Sequence, residues 1–288
     1  MTISRALSLS FSWAWLLLFS MLPLCIILVI ALARSADTVP PFSFAVDPGN
    51  LALAATDELY REAFWLSLRT ASISTVICLL IGYPMALAIA RAAERWRGTL
   101  LLALMLPFWT GFLMRINAWI GMLRDDGWIN AALTFFGFAP VRLLYTDTAL
   151  YIGMVYTYLP FMVLPVYARL AKLDATVLEA AADLGASPFR AFLHVTLPLS
   201  LPGIAAGVAL VFIPSVGEYV IPELLGGPGA QLIGRVMWEE FFENRDWPMA
   251  ASLAWLLLML LVVVPVCIRA AVRAGRGHSR GNGSPPAS

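Results

Sequence analysis

The chain has 288 residues, of which 60% are hydrophobic and only 13% are charged, and its formal net charge is +1. Soluble domains average roughly 45–50% apolar and about 25% charged residues, so this chain has too few charges to cover a water-facing surface. The composition excludes a secreted disulfide scaffold, a disordered protein and an ordinary cytosolic enzyme, and it indicates an integral membrane protein.

Six apolar segments approach the roughly 20 residues that a membrane-spanning helix needs. In chain order they cover about Trp13–Ala33, Phe64–Ala90, Thr99–Gly121, Thr148–Leu170, Pro202–Ile221 and Met249–Ile268. The first is longer than the core of a signal peptide and no clear cleavage site follows it, so we interpret it as a retained anchor. The predicted fold class is therefore an all-α integral membrane protein with six transmembrane helices.

The fifth segment is the least regular of the six. Its clean apolar part, 203–213, is too short to span a bilayer alone, and Pro214 and Glu218 interrupt the rest of the segment. Proline and a carboxylate at membrane depth are tolerated where neighbouring helices or a water-filled cavity satisfy them. We therefore expect this segment to face the interior of the helix bundle.

The loops between the segments differ in charge. If the N-terminus is cytoplasmic, the inner loops hold more Arg and Lys than the outer loops, which is the usual bias in membrane proteins. This predicts two cytoplasmic termini, with 1–12 as an N-terminal segment, 13–270 as the six-helix domain and 271–288 as a disordered tail. Most Asp and Glu residues then lie outside, where they either attract cations or form an ordinary solvated surface.

The inner loop at about 172–200, between the fourth and fifth segments, begins with signals for a short helix. Thr176 stands three residues before Glu179, which is the spacing of a capping box. Three alanines at 180–182 favour a helix and give it a surface of small side chains.

Signals for a second short helix stand later in the same loop. Gly185 suits a left-handed helix stop, and Ser187 with Pro188 suits the start of another helix, which is expected to end at Pro198. Such a helical hairpin either lies on the bilayer without a partner or lets another protein approach its backbone closely.

This loop resembles the EAA loop of ABC-importer permeases, whose pattern is E-A-A-x3-G-x9-I-x-L-P. The matching positions are Glu179, Ala180, Ala181, Gly185, Val195 (in place of isoleucine), Leu197 and Pro198. In that family the loop is a coupling helix that sits in a cleft of a partner ATPase. The resemblance therefore implies an ATPase-coupling role for Glu179, Ala180, Ala181 and Gly185.

Four further runs resemble the permeases of polyamine (spermidine/putrescine) importers, most of all the permease subunit of putrescine systems. They are residues 106–110, 115–119, 216–228 and 244–248. The similarity covers nearly the whole chain, from about 13 to 268. It implies the MetI-like fold of type I ABC-importer permeases, located in a bacterial inner membrane.

The resemblance also implies partners and a function. The partners are a homologous second permease, two copies of an ATP-binding subunit and a periplasmic polyamine-binding protein, with no nucleic acid and no cofactor. The chain itself is expected not to be an enzyme, since its only lysine, Lys172, stands in no phosphate-binding P-loop pattern. The implied function is ATP-driven uptake of polyamines, putrescine first and spermidine next. The alternatives are another small cationic or amine solute and, less favoured, a stand-alone secondary transporter.

A passage for polyamines needs carboxylates for the ammonium groups and aromatic faces for the methylene chain. The candidate passage residues are Glu218, Tyr219, Glu223, Trp109, Trp119, Tyr156 and Tyr158. The alternative for the aromatic residues is core packing or an interfacial belt. The alternative for Glu218 is a structural pairing with Arg115 or Arg69.

Overall fold

The computed structural model describes residues 2–262, and most of them lie in helices. The helices are α1 (Thr2–Ala31), α2 (Gly49–Thr56), α3 (Glu58–Arg91), α4 (Glu94–Met105), α5 (Phe112–Leu123), α6 (Trp128–Phe135), α7 (Asp147–Leu170), α8 (Ala175–Asp183), α9 (Pro188–Ala191), α10 (Leu197–Val216), α11 (Val220–Leu225), α12 (Ile233–Trp238) and α13 (Trp247–Val262). Two strands, β1 (Ala33–Ser35) and β2 (Phe42–Val46), pair as an antiparallel hairpin that the sequence did not predict. The predicted tail and the end of the sixth segment lie outside the described residues.

Within the described residues, the six apolar segments fall mainly in helices. Between residues 2 and 262, four stretches are long and apolar enough to cross a membrane, namely Trp13–Ala31, Glu58–Arg91, Asp147–Leu170 and Pro188–Val216. The third segment is a pair of helices, Glu94–Trp109 and Phe112–Phe135, that bend by 89° and count as a fifth span if taken together. The described part of the sixth segment is the shorter apolar helix α13. The predicted all-α membrane fold is confirmed.

The chain divides into two compact units. The first contains the residues up to Glu62 and those from Val236 onward, and the second runs from Ala63 to Arg235. In the first unit, the Ser252 hydroxyl donates to the carbonyl oxygen of Ala31 at 3.2 Å, which joins α13 to the end of α1. The candidate residues of the passage and of the coupling loop all lie in the second unit.

Close packing of α7 against α10 forms the centre of the second unit, and it depends on glycines. A methyl group added at Gly203 would lie 2.8 Å from the carbonyl oxygen of Pro165, and one added at Gly207 would lie 2.7 Å from the sulfur of Met162. The two glycines are four residues apart, which is the small-xxx-small pattern that lets helix backbones approach in membranes. Larger side chains at these positions would separate the helices.

The structure corrects the predicted end of the helix that follows Ser187. The helix after Ser187 does not end at Pro198, because α9 continues through a wide π-type turn (Phe192–Thr196) directly into α10. The N–H of Leu197 donates five residues back, to the carbonyl oxygen of Phe192. This wider turn gives room to the Pro198 ring, which lacks an N–H and would crowd the carbonyl of a regular preceding turn.

The fifth segment is also longer than its apolar pattern suggested. The helical stretch Pro188–Val216 has 29 residues and passes through Pro202 and Pro214 without ending. The interruption comes later, between Val216 and Val220. The clean apolar part at 203–213 is thus only the middle of a helix long enough to span a membrane, and the predicted interruption at Pro214 is wrong, whereas Glu218 does lie in the break.

Candidate functional site

Two apolar segments of the second unit are broken within their length. The third segment narrows to a 3-10 turn (Leu106–Trp109) and resumes as α5 at Phe112, and the fifth is interrupted by Gly217–Tyr219 between α10 and α11. Broken helices leave main-chain groups without helical partners, and transporters use such breaks to bind substrates and ions. The candidate site is built from these two breaks and from α7, which contacts residues of both.

Glu218 stands at the break of the fifth segment and satisfies the main chain there. Its Oε1 accepts hydrogen bonds from the N–H groups of Val220 at 3.0 Å, Tyr219 at 3.2 Å and Ile221 at 3.4 Å. Its Oε2 accepts a short hydrogen bond from the hydroxyl of Tyr158 on α7. The carboxylate is thus half-buried and fixed in position by four donors of the protein itself.

Gly234 at the start of α12 lies against the same break. A methyl group added there would lie 2.4 Å from the carbonyl oxygen of Gly217 and 2.6 Å from that of Glu218. Real side-chain carbons do not approach backbone oxygens this closely, so only glycine fits at this position. The close backbone contact holds the break, and with it Glu218, at a defined place.

Aromatic rings on α7 connect the two breaks. Tyr158 and Phe161 are three residues apart and share one face of the helix, with ring centroids 6.3 Å apart. Phe161 meets Phe108 of the first break edge to face at 5.5 Å. A row of three rings (Tyr158, Phe161 and Phe108) therefore leads from Glu218 to the break in the third segment.

Arg115 lies at the far end of this row. Its guanidinium carbon is 4.6 Å from the ring centre of Phe108 and 5.7 Å from that of Phe112, which are cation–π distances. The alternative pairing of Glu218 with Arg115 or Arg69 is not found among the ion pairs of the described residues. The hydrogen-bond partner of Glu218 is Tyr158 instead.

Trp119 and Tyr156 form a second aromatic contact beside the first. Their rings meet edge to face at 5.4 Å, and both side chains line two pockets, an apolar one of about 420 Å³ and one of about 320 Å³ that contains Arg115. Trp109 does not join them, since it is 77% exposed at the first break. The structure thus places Trp119 and Tyr156 next to each other and leaves Trp109 on the surface of the chain.

Glu223 has a partner that the sequence did not reveal. Its Oε2 lies 2.9 Å from Nε of Arg235 on α12, whose side chain is partly buried, whereas the Glu223 side chain is exposed. No pattern in the sequence indicates this pairing, because the two residues lie on different short helices. Tyr219, by contrast, is half-buried and donates its backbone N–H to Glu218, so its main chain belongs to the break.

The coupling loop folds into two short helices, as predicted, but its first cap differs. Asp174, not Thr176, occupies the N-cap of α8 and accepts the N–H of Thr176 at 3.0 Å. The hydrogen bonds from Thr176 lower the pKa of Asp174 below its ordinary value, because they stabilise the carboxylate. The capping-box interpretation is wrong because aspartate, an equally good cap, stands two residues earlier.

The turn between the two short helices matches the prediction. Gly185 has a φ of +79°, the left-handed conformation that favours glycine, and Ser187 caps α9 by accepting the N–H of Arg190. Leu184 is 89% exposed and Phe189 is 69% exposed, on either side of this turn. Glu179 and Ala180 are exposed as well, whereas Ala181 is half-buried. The hairpin therefore presents an apolar surface that no described residue covers.

Comparison with a family model and with named relatives indicates the same class of protein, a membrane component of a transport system. The family described as binding-protein-dependent transport system inner membrane component matches residues 2–274. The chain is 44% identical over 209 residues to the spermidine/putrescine transport system permease protein PotB of Haemophilus influenzae, covering 71% of this chain and 73% of that protein. The PotB protein of Escherichia coli K12 is 42% identical over 213 residues, covering 72% of this chain and 78% of the relative.

The fold is also that of a solved transporter. The structure resembles a chain of a bacterial ABC transporter involved in the import of the acidic polysaccharide alginate, with a TM-score of 0.71 and 16% identity, over 94% of this chain and 95% of that one. The expected MetI-like permease fold is therefore confirmed. In such systems ATP is hydrolysed by a separate subunit. The chain belongs to the family of inner membrane components of binding-protein-dependent transport systems, and it is a permease subunit of the ABC-importer type.

Proposed function

We propose that this permease subunit takes up polyamines from the periplasm as part of an ATP-driven importer, with putrescine as the first candidate cargo and spermidine as the next. The observation that carries the proposal is the carboxylate of Glu218, held at a helix break beside Tyr158. The names of the two relatives, both spermidine/putrescine permeases, support the same class of cargo.

The chemistry of Glu218 suits an alkylammonium group. A carboxylate has about four acceptor positions on its two oxygens. Three N–H groups share Oε1, and Oε2 accepts the hydroxyl of Tyr158, so Oε2 retains a free acceptor position. An ammonium group at Oε2 gains a charge-assisted hydrogen bond, and the faces of Tyr158 and Phe161 lie where its methylene chain can pack.

The fixed position of the carboxylate matters for release as well as for binding. Because protein donors already hold Glu218, cargo binding does not have to order its side chain. The same donors stabilise the negative charge when the cargo leaves. A movement of α11 relative to α7 would separate Glu218 from Tyr158 and change the affinity for the ammonium group.

Energy for such a movement is proposed to come through the coupling loop. The exposed apolar residues Leu184 and Phe189 flank Gly185 and form a surface suited to a cleft in an ATP-binding subunit. The π-type turn makes α9 continuous with α10, so a push on the loop moves the fifth segment and its break together. We place the loop and both termini in the cytoplasm, and a periplasmic binding protein at the outer loops.

Two alternatives remain for the cargo and the energy source. A carboxylate with aromatic neighbours also suits another small amine, and the names of the relatives are the reason for choosing polyamines. A stand-alone secondary transporter would have no use for the apolar hairpin at 184–189, which is the reason for choosing ATP-driven import with a second permease and two ATP-binding subunits.

The decisive experiment measures ATP-dependent uptake of labelled putrescine and spermidine into vesicles that carry the complete complex. Glu218→Gln keeps the size of the side chain but removes its charge, and we expect uptake to fall at least about a hundredfold, as for the loss of an ion pair in a site of low dielectric. Glu243→Gln, at an exposed acid of the other unit, is the matched control and should transport normally.

Two results would contradict the proposal. Uptake by Glu218→Gln at the wild-type rate, with normal complex assembly, would remove Glu218 from the mechanism. Uptake that is indifferent to ATP but collapses with the proton gradient would show a secondary transporter. The ratio of putrescine to spermidine uptake in the wild type decides which polyamine is preferred.

A further inference from the structure

Arg115 carries a positive charge that the second unit leaves largely uncompensated. Its Nε and Nη1 atoms are buried and have no hydrogen-bond partner within the described part of the chain. No ion pair of these residues includes it, and the nearby groups that attract its charge are the rings of Phe108 and Phe112. Ring faces attract a cation but accept no conventional hydrogen bonds, so the buried N–H groups stay unsatisfied.

The proposed cargo cannot supply the missing anion. Polyamines are cations and are repelled by a guanidinium, so Arg115 is not a cargo-binding residue of the same kind as Glu218. Glu218 is engaged by Tyr158 and by the main chain. A charged side chain inside a membrane is costly unless it is paired, and no described residue of this chain supplies the pairing group.

The surface around Arg115 has the composition of a protein interface. The side chains that line its pocket of about 320 Å³ are Thr110, Met114, Ala118, Trp119, Met122 and Tyr156. Close in sequence to these lining residues stand exposed apolar residues of the third-segment break and of α5, namely Leu106, Trp109, Leu113 and Met114. Tryptophan, methionine and arginine are enriched at the centres of protein interfaces, where carboxylates of the partner often satisfy buried arginines.

We propose that the homologous second permease covers the face formed by Leu106, Trp109, Leu113 and Met114, and that a carboxylate of that subunit binds Arg115. The proposal rests on the pairing of two permeases in the proposed function, but not on the identity of the cargo. The ion pair would fix the third-segment break of this chain against the partner. It would also neutralise the positive charge of Arg115, which is separated from the Glu218 carboxylate by the rings of Tyr158, Phe161 and Phe108.

The first test maps what lies on this face in the assembled complex. Cys25, Cys78 and Cys267 are replaced by alanine, a cysteine is placed at Met114, and a cysteine-directed photoreactive reagent is attached before illumination in lipid nanodiscs. Met114 is 74% exposed, and a cysteine at Trp128, which is 83% exposed on α6, is the matched control. We expect adducts to the second permease from position 114 and a far lower yield from position 128.

The adducted peptide decides between occupants. A peptide of the second permease next to an aspartate or glutamate supports the proposal. Adducts only to lipid, only to another copy of this chain, or only to the binding protein would overturn it.

The second test removes the charge and measures assembly without cargo. Arg115→Met keeps an apolar stem over Phe108, and we expect about tenfold less second permease to co-purify, whereas Arg115→Lys should retain most of it because the charge remains. The yield and monodispersity of the variant chain expressed alone report its folding. An unchanged amount of complex with Arg115→Met would refute the ion pair. If Arg115→Met prevents assembly while Glu218→Gln transports normally, the proposed interface is supported and only the proposal for cargo binding is refuted.

Discussion

Tyr158 donates its hydroxyl hydrogen to Glu218, and this bond joins the middle of α7 to the break between α10 and α11. The two residues are 60 positions apart in the chain, and the close approach of α7 and α10 at Gly203 and Gly207 brings the two elements together. The bond is short and partly buried, so it both fixes the carboxylate and places an aromatic face next to it. A small rearrangement of α7 against α11 would act directly on the proposed cargo site.

Replacing Tyr158 by phenylalanine should weaken cargo binding without abolishing it. The variant keeps the ring but removes one of the donors that hold Glu218 in place, so cargo binding has to order the carboxylate, which costs about 0.5–1.5 kcal/mol, or roughly a two- to tenfold rise in the cargo concentration needed for half-maximal uptake. The measurement is uptake at several cargo concentrations. Tyr167→Phe, on the same helix, is the control. An unchanged half-maximal concentration for Tyr158→Phe would contradict the role of this bond.

Glu223 is expected to act differently from Glu218, although both are candidate passage residues. Because Glu223 is paired with Arg235 at 2.9 Å, Glu223→Gln should lower uptake less than Glu218→Gln does. Arg235→Met should lower it by a similar amount, and the double variant should be no worse than either single one, since both remove the same pair. Additive losses in the uptake assay would indicate that Glu223 contacts the cargo independently of Arg235.

The coupling loop offers a test of the link to ATP hydrolysis. Leu184→Asp places a charge on an exposed apolar residue, and Glu179→Lys reverses the charge of the EAA position. Both should reduce cargo-stimulated ATP hydrolysis and co-purification of the ATP-binding subunit by about tenfold or more while the permease remains folded. Val39→Asp is the control, because Val39 is as exposed as Leu184, at 89%, but lies in the hairpin of the other unit. Unchanged stimulation by both loop variants would refute the coupling role.

The helix contact at Gly203 can be tested by thermal unfolding in detergent. Gly203→Ala would bring a methyl group to 2.8 Å from the carbonyl oxygen of Pro165, and overpacking of this kind costs about 1–3 kcal/mol. Gly98→Ala in α4 meets nothing within 4 Å and should stabilise the chain by about 0.4–1 kcal/mol. An equal effect of both substitutions on the unfolding temperature would contradict the close contact between α7 and α10.

The features that could be predicted were those that depend on residues close together in the sequence. The apolar segments, the left-handed Gly185 and the Ser187–Pro188 helix start depend on nearby residues, and the structure shows helices for the described parts of the segments, the left-handed glycine and the helix start. The end at Pro198 and the cap at Thr176 were predicted wrongly, since a π-type turn accommodated the proline and Asp174 competed for the cap. Local rules name the residues that can perform a task, but they do not decide between two candidates that stand close together.

The candidate site depended on contacts between distant residues. A carboxylate in a broken apolar segment marked Glu218 in the sequence, because an acid in a membrane is costly and seldom incidental. The sequence did not identify the side chain that pairs with Glu218. Neither of the two arginines considered is its partner, because hydropathy carries no information about which helices are neighbours. The pairing of Glu223 with Arg235 had no signal in the sequence at all.

Residue order alone was enough to predict that the chain lies in a membrane, that it carries a short helical hairpin at about 172–200 and that one acid stands in a broken span. These features depend on composition and on short-range geometry, where spacing of three or four residues fixes which side chains meet. The contact of Tyr158 with Glu218, and the lack of a carboxylate beside Arg115 in the described residues, became visible only once the helices were packed. Such pairings depend on which helices lie side by side, and the glycines that permit the packing do not specify which neighbour they will meet.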